Sequence, residues 1–253
     1  MTDYVLEVQN LTKRYGDLLA VNGVSFFVNR GEIFGILGPN GAGKTTTLEM
    51  IETLRPADSG TVILDGIDTR TNPQGVKQII GVQLQSSSFF DKLSLTELLL
   101  LFGEMYGRAI DPLALLDEVE LRDKAKSYVA NLSGGQKQRF SIAAALVNDP
   151  VIIFLDEPTT GLDPQSRRHL WGVIKRVQSE GKTIVLTTHY MEEAEELCDR
   201  VAIMDNGKVI ANASPEQLVQ QLIGKGFHKE RVERLANLED VFLDLTGHSL
   251  REE

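Results

Sequence analysis

Cysteine is all but missing. Cys198 stands alone among 253 residues, which excludes an internal disulfide and any metal site built on several thiolates. A single small sulfur residue is read as packing material rather than as a reactive thiol. Membrane-spanning stretches are missing too. Apolar runs such as Leu98–Phe102 and Val151–Leu155 fall far short of the roughly 20 residues a transmembrane helix needs. The start, Met1–Glu7, is neither basic nor apolar, so no secretory leader is expected and the chain is expected to stay in the cytoplasm. Positive charge is scarce, with 26 Lys and Arg against 36 Asp and Glu and a formal charge of −10. That balance gives no general attraction to nucleic acid or to anionic lipid. Any phosphate bound here must be held by local devices.

What is present fits a folded soluble chain: 42% hydrophobic and 25% charged residues, at a length suited to one large domain or one with a small companion. Tyr4–Gln9 and Ser25–Asn29 read as strands, and Ile33–Leu37 as a third that runs straight into a glycine-rich loop. Lys44–Leu54 reads as the following helix, ended by Pro56 and Ser59-Gly60. Thr61–Leu64, Asp65-Gly66 and Ile67 suggest a hairpin. From about residue 86 to 150 the pattern turns helical, with Ser94 and Glu97 forming a capping-box start for Leu95–Tyr106. Strands resume at Val151–Leu155, Thr183–Thr187, Val201–Met204 and, after Asn206-Gly207, Lys208–Ala211. Parallel strands with helices between them are implied. No internal repeat is visible, so a solenoid is excluded.

The chemistry lies in three segments. Gly38-Pro39-Asn40-Gly41-Ala42-Gly43-Lys44-Thr45, followed by Thr46, is a complete phosphate-binding loop. Its glycines let backbone N–H groups curl inward at phosphate oxygens, and the next helix adds its positive end. Lys44 is expected to reach the β and γ phosphates and Thr45 to ligate Mg²⁺. Val151–Glu157 is an apolar strand ending in two carboxylates: Asp156 suits the metal, and Glu157 suits a base polarising the attacking water. Ser133-Gly134-Gly135, opening a helix at Gln136, is a second phosphate-binding device. Lys44 and Thr45 already occupy one side of a triphosphate, so a second chain is the natural user of the Ser133 segment. A head-to-tail pair on a two-fold axis meets that need.

The glycine loop, Leu132-Ser133-Gly134-Gly135-Gln136-Lys137-Gln138-Arg139 and Leu155–Pro164, in that order, resemble the nucleotide-binding subunits of ABC transporters over nearly the whole chain. The resemblance implies an α/β P-loop NTPase fold with a mostly parallel sheet, an antiparallel N-terminal β subdomain and a helical insertion. It implies a nucleotide-binding domain over residues 1–223 and a short helical tail over 224–253. It implies that Tyr15 stacks on adenine, that Asp163 links the two composite sites, and that His189 is the switch histidine near the γ-phosphate. A glutamine contacting Mg²⁺ or water is matched to Gln85 rather than Gln83, as the residue at a strand end. A groove that takes a short helix of the transmembrane subunit would lie near Phe89 and Phe90.

Leu235, Leu238, Phe242 and Leu245 follow helical spacing, so Arg234–Leu245 is expected as an amphipathic helix. Leu238–Gly247 and Glu157–Arg168 further resemble ATPases of the ABC-2 type, which mostly drive export. Only about twenty-five residues, Ser214–Asn237, precede that tail, so a full strand-rich regulatory domain is not expected. The expectation is an ATP-hydrolysing exporter subunit, using ATP and Mg²⁺, acting as a homodimer peripheral to the cytoplasmic face of the membrane beneath separate permease chains. A soluble ABC ATPase of a cytoplasmic assembly, such as iron–sulfur cluster biogenesis, is the alternative. A P-loop kinase or GTPase gives no reason for Ser133-Gly134-Gly135.

Overall fold

The computed structural model describes residues 4–84 and 89–227. Strands β1 (Tyr4–Tyr15) and β2 (Leu18–Asn29) pair antiparallel round the Gly16-Asp17 turn. Both run well past the expected bounds. Register shifts between Val8 and Leu11 and again up to Arg14 break the alternation of buried and exposed residues, so a period of two stops short of the true strand ends. Strand β4 (Ser59–Leu64) pairs with β1 and turns into β5 (Ile67–Asp68). Asp65 and Gly66, with φ of 47° and 79°, form the expected turn.

The second sheet has the order β10-β9-β3-β8-β7-β6. In it β3 (Ile33–Leu37), β6 (Ile80–Gln83), β7 (Ile152–Asp156), β8 (Thr183–Thr188) and β9 (Arg200–Asp205) are parallel, and β10 (Lys208–Ala213) is antiparallel to β9. β3, β7 and β8 are buried along their whole length. Continuous apolar sequence is what a parallel strand covered on both faces requires.

The helices are α1 (Lys44–Ile51), α2 (Pro73–Ile79), α3 (Leu95–Tyr106), α4 (Pro112–Glu118), α5 (Gly134–Leu146), α6 (Pro164–Ser179), α7 (Met191–Leu197) and α8 (Pro215–Gly224). α3 has the expected bounds and both halves of its Ser94–Glu97 capping box. α1 is shorter than expected. Thr53 turns left-handed at φ 62°, and the amides of Leu54 and Arg55 both donate to the Glu49 carbonyl, which closes the helix before Leu54. Between β6 and β7 the described elements are helical, including short 3-10 turns at Arg122–Lys124 and Val129–Asn131.

Leu6 and Val8 of β1, Phe26 of β2, Phe34 and Ile36 of β3, and Leu48 and Ile51 of α1 belong to one buried cluster. The Phe26 and Phe34 rings stack at 5.1 Å. Burial of Leu48 and Ile51, about 1.5–3 kcal/mol each, fixes α1 against the sheets and so fixes the loop that precedes it. The chain divides into compact units Met1–Gln217 and Leu218–Glu253. The expected tail helix Arg234–Leu245 lies outside the described residues. Phe89 and Phe90 part company: Phe89 packs on Phe102 and Phe140, whereas Phe90 is exposed. Cys198 is buried, and burial pushes its thiol far above the ordinary range, in keeping with a packing role.

Candidate nucleotide site

The loop between β3 and α1 is glycine-dependent for local reasons. Gly43 takes φ 97°, and a Cβ there would collide with the Ala20 carbonyl; one at Gly38 would collide with the Met204 carbonyl. Gly43 caps α1 without any side-chain hydrogen bond, which leaves the first amides of the helix for a ligand. Pro39, Asn40 and Gly41 are exposed, Ala42 is buried, and Thr46 is half-buried. Lys44 is only 5% exposed. Its Nζ donates to the carbonyls of Gly38 at 2.9 Å and Pro39 at 3.1 Å, and lies 3.5 Å from Glu157 Oε1.

Three strand ends converge on that ammonium. Asp156, last residue of β7, accepts from Thr45 Oγ1 at 3.3 Å and from Thr187 Oγ1 of β8. Burial is the main influence on Asp156 and raises its pKa, against the lowering effect of the two hydroxyl donors. Glu157 leaves the strand at φ 46°, a left-handed conformation that costs a non-glycine residue about 1 kcal/mol. The kink is held by its own amide, which donates to Thr187 Oγ1 at 3.0 Å, and by Thr160 Oγ1, which donates to Oε2 at 3.2 Å. His189, just past β8, sets Nδ1 3.2 Å from Glu157 Oε1. A carboxylate only accepts, so Nδ1 carries the hydrogen. Burial raises the Glu157 pKa, and the His189 hydrogen bond with the His189 and Lys44 charges more than offsets it, so the acid sits below its ordinary value.

Other expected residues stand apart from this group. Ser133 and Gln136 satisfy each other: Gln136 N donates to Ser133 Oγ at 3.3 Å and Ser133 N donates to Gln136 Oε1 at 2.9 Å. Ser133 and Gly134 are exposed, and Gly135 lies against Ser166. Asp163 caps α6, its Oδ1 accepting from the amides of Gln165 and Ser166. Tyr15 is 39% exposed, with the Lys13 and Arg55 cations 5.8 and 5.5 Å from its ring centre. Gln85 lies outside the described residues. The strand end falls earlier than expected: β6 closes at Gln83, which is buried and donates to Gln138 Oε1 at 3.0 Å.

No motif in the sequence marks Thr187, although it joins Asp156 to Glu157. The available signal was a pair of hydroxyl residues closing an apolar strand, Leu186-Thr187-Thr188-His189. Among the described residues no cluster of three or more His, Cys, Asp or Glu could hold a metal alone. One hydroxyl and one carboxylate, as Thr45 and Asp156 provide, is the sparse protein donor set that suits a Mg²⁺ ion whose remaining ligands are phosphate and water.

A glycine loop between a central strand and a helix, with carboxylates at the end of a parallel strand one place removed in the same sheet, defines a P-loop nucleotide-binding domain. The ABC transporter family profile matches residues 21–160. The Nod factor export ATP-binding protein I of Burkholderia lata is 44% identical over 224 residues, covering 87% of this chain and 74% of that protein. Among solved structures, the ATP-binding subunit of an ABC transporter superposes with a TM-score of 0.76 at 30% identity, covering 96% of this chain and 99% of that one. A dimeric bacterial ABC transporter cassette superposes at 0.73 with 28% identity, covering 83% and 98%. The chain belongs to the ABC transporter ATP-binding family. It is an ATPase cassette of that family, and among its described residues no helix is long and apolar enough to cross a membrane.

Proposed function

We propose that this chain is the ATP-hydrolysing subunit of an ABC exporter of the ABC-2 type, working as a head-to-tail homodimer on the cytoplasmic face of the membrane beneath separate permease chains. Export is supported by the name carried by the Burkholderia relative, and the subtype by the Leu238–Gly247 and Glu157–Arg168 segments. The transport path would belong to the permease chains, and this chain would supply the force.

One observation carries the dimer. Lys44, Glu157 and His189 are in contact and Thr187 ties Asp156 to Glu157, whereas the exposed Ser133, among the described residues, bonds to its own helix start. A second chain would give that segment a phosphate to hold, and two solved cassette structures of similar fold are themselves dimeric.

In this reading the loop amides and Lys44 bind and orient the triphosphate, with Tyr15 stacking on the base. Thr45 and Asp156 would hold Mg²⁺, which when bound neutralises phosphate charge; the match to Gln85 remains part of the proposal. Glu157 takes a proton from the attacking water, and its low pKa keeps it ionised for that task at neutral pH. His189 holds Glu157 by Nδ1 and leaves Nε2 for the γ-phosphate. Asp163 and the partner's copy of the Ser133 segment complete the closed pair, and closure driven by ATP moves the attached membrane helices.

The test is Glu157→Gln with saturating MgATP, followed by size exclusion. A dimer is expected, and adding Ser133→Arg should abolish it. A monomer in the single variant sinks the proposal. Co-purification should bring down a polytopic membrane protein; a soluble scaffold in its place would favour the cytoplasmic-assembly alternative.

A further inference from the structure

We propose that Arg167 and Tyr190 are positioning residues for hydrolysis: a cation–π clasp between them holds the His189 ring against Glu157 and ties it to the first turn of α6. The clasp rests on the proposed role of His189 and extends it to two residues outside the loop and the carboxylate pair.

The geometry forms an unbroken chain. The Tyr190 ring lies 4.1 Å from the His189 ring, centre to centre and tilted by 40°. The Arg167 guanidinium covers Tyr190 at 4.6 Å from the ring centre. Arg167 Nε is buried with no hydrogen-bond partner among the described residues, and the Glu192 carboxylate stands 3.9 Å from Nη1. A guanidinium that gives up a hydrogen bond to lie over a ring is aligned by the ring rather than by a salt bridge. At the far end of the chain, His189 Nδ1 holds Glu157 Oε1.

Arg167 belongs to the same helical turn that Asp163 caps, its amide donating to the Asp163 carbonyl at 2.9 Å. The preceding residue, Ser166, lies where a Cβ on Gly135 would meet it at 3.1 Å. One turn of helix therefore lies against Gly135 on one side and against Tyr190, the ring beside the histidine, on the other. α6 and α7 are fastened again lower down, where Trp171 Nε1 donates to the buried Glu193 at 3.1 Å. Movement imposed on Asp163 or Gly135 by a second chain would reach the His189 ring as a shift of this clasp. Misplacing a group that orients a base slows the chemical step without weakening ground-state binding.

ATP turnover by the purified full chain tests the clasp. Tyr190→Leu should lower kcat about ten-fold while ATP affinity stays within about two-fold. Tyr190→Phe, which keeps the ring face, should restore the rate. Arg167→Ala should slow turnover as Tyr190→Leu does, and the double variant should be no slower than Tyr190→Leu alone, because the two changes break one contact. Retained ATP affinity reports that each variant is folded. Wild-type kcat in Tyr190→Leu beside a slow His189→Ala, or multiplicative effects in the double variant, overturns the clasp and leaves the site reading intact. Full turnover by His189→Ala removes the histidine from the mechanism, and the clasp with it.

Discussion

Lys44 Nζ lies 3.5 Å from Glu157 Oε1, so the cation of the phosphate loop and the acid assigned as base hold each other in the same chain. Phosphate oxygens arriving at the loop would compete with that carboxylate for Lys44. Binding and release of the base are thereby linked.

Lys44→Ala should reduce ATP affinity on the order of 10- to 100-fold, the worth of one or two charge-assisted hydrogen bonds. It should also let the Glu157 acid drift upward, since the Lys44 charge is one of the influences lowering it. Titration with a fluorescent ATP analogue measures the first effect, and unchanged affinity would take Lys44 out of the site.

Thr187 carries more than its size suggests. It is fully buried, donates to Asp156 and accepts from the Glu157 amide, so one hydroxyl fixes both carboxylate residues. Thr187→Val keeps the shape and removes both bonds. Stability should fall by about 2 kcal/mol, the Asp156 acid should rise further, and turnover should drop at unchanged ATP affinity. Urea unfolding and steady-state kinetics read these outcomes separately; a variant that unfolds and turns over like the parent would mean that the backbone alone sets the kink at Glu157.

The parts of this fold legible in sequence are those written in contiguous residues. The Ser94–Glu97 box gave the bounds of α3, and the unbroken apolar run of Ile33–Leu37 gave β3. Elements shaped by pairing with distant chain were not legible. The bulged length of β1 depends on β2 and β4, and the end of β6 depends on its register with β7. The same division runs through the site. Lys44, Asp156 and Glu157 announce themselves by motif, whereas Thr187 and the Arg167–Tyr190 contact arise only when α6, α7 and β8 are brought side by side.

Tyr15 presents a ring flanked by Lys13 and by Arg55, the latter held by Glu49 at 2.6 Å. Stacking is tolerant of base identity because every base has a π face. Tyr15→Ala should weaken ATP and GTP by the same factor, on the order of ten-fold, and Tyr15→Trp should restore both. A loss confined to one base would show that recognition runs through hydrogen bonds and that the ring is not the platform.

Glu52 is 2% exposed at the end of α1, and its Oε1 has no hydrogen-bond partner among the described residues. Burial first, then the negative charges of Asp156 and Glu49, pushes its pKa from 4.5 up to about 8. The sign of the consequence is set by which state holds the proton. Between 4.5 and about 8 the folded chain keeps it and the unfolded chain releases it, so stability is fully present below this window and declines as pH rises through it. Glu52→Gln has no proton to lose. Measured by urea unfolding without nucleotide or Mg²⁺, the wild type should lose on the order of 3 kcal/mol more than Glu52→Gln between about pH 5 and about pH 8.5. Parallel stability curves would mean that Glu52 is ionised in the fold. In that event a compensating cation or water must reach Oε1, because a bare buried carboxylate beside Asp156 would not stay charged.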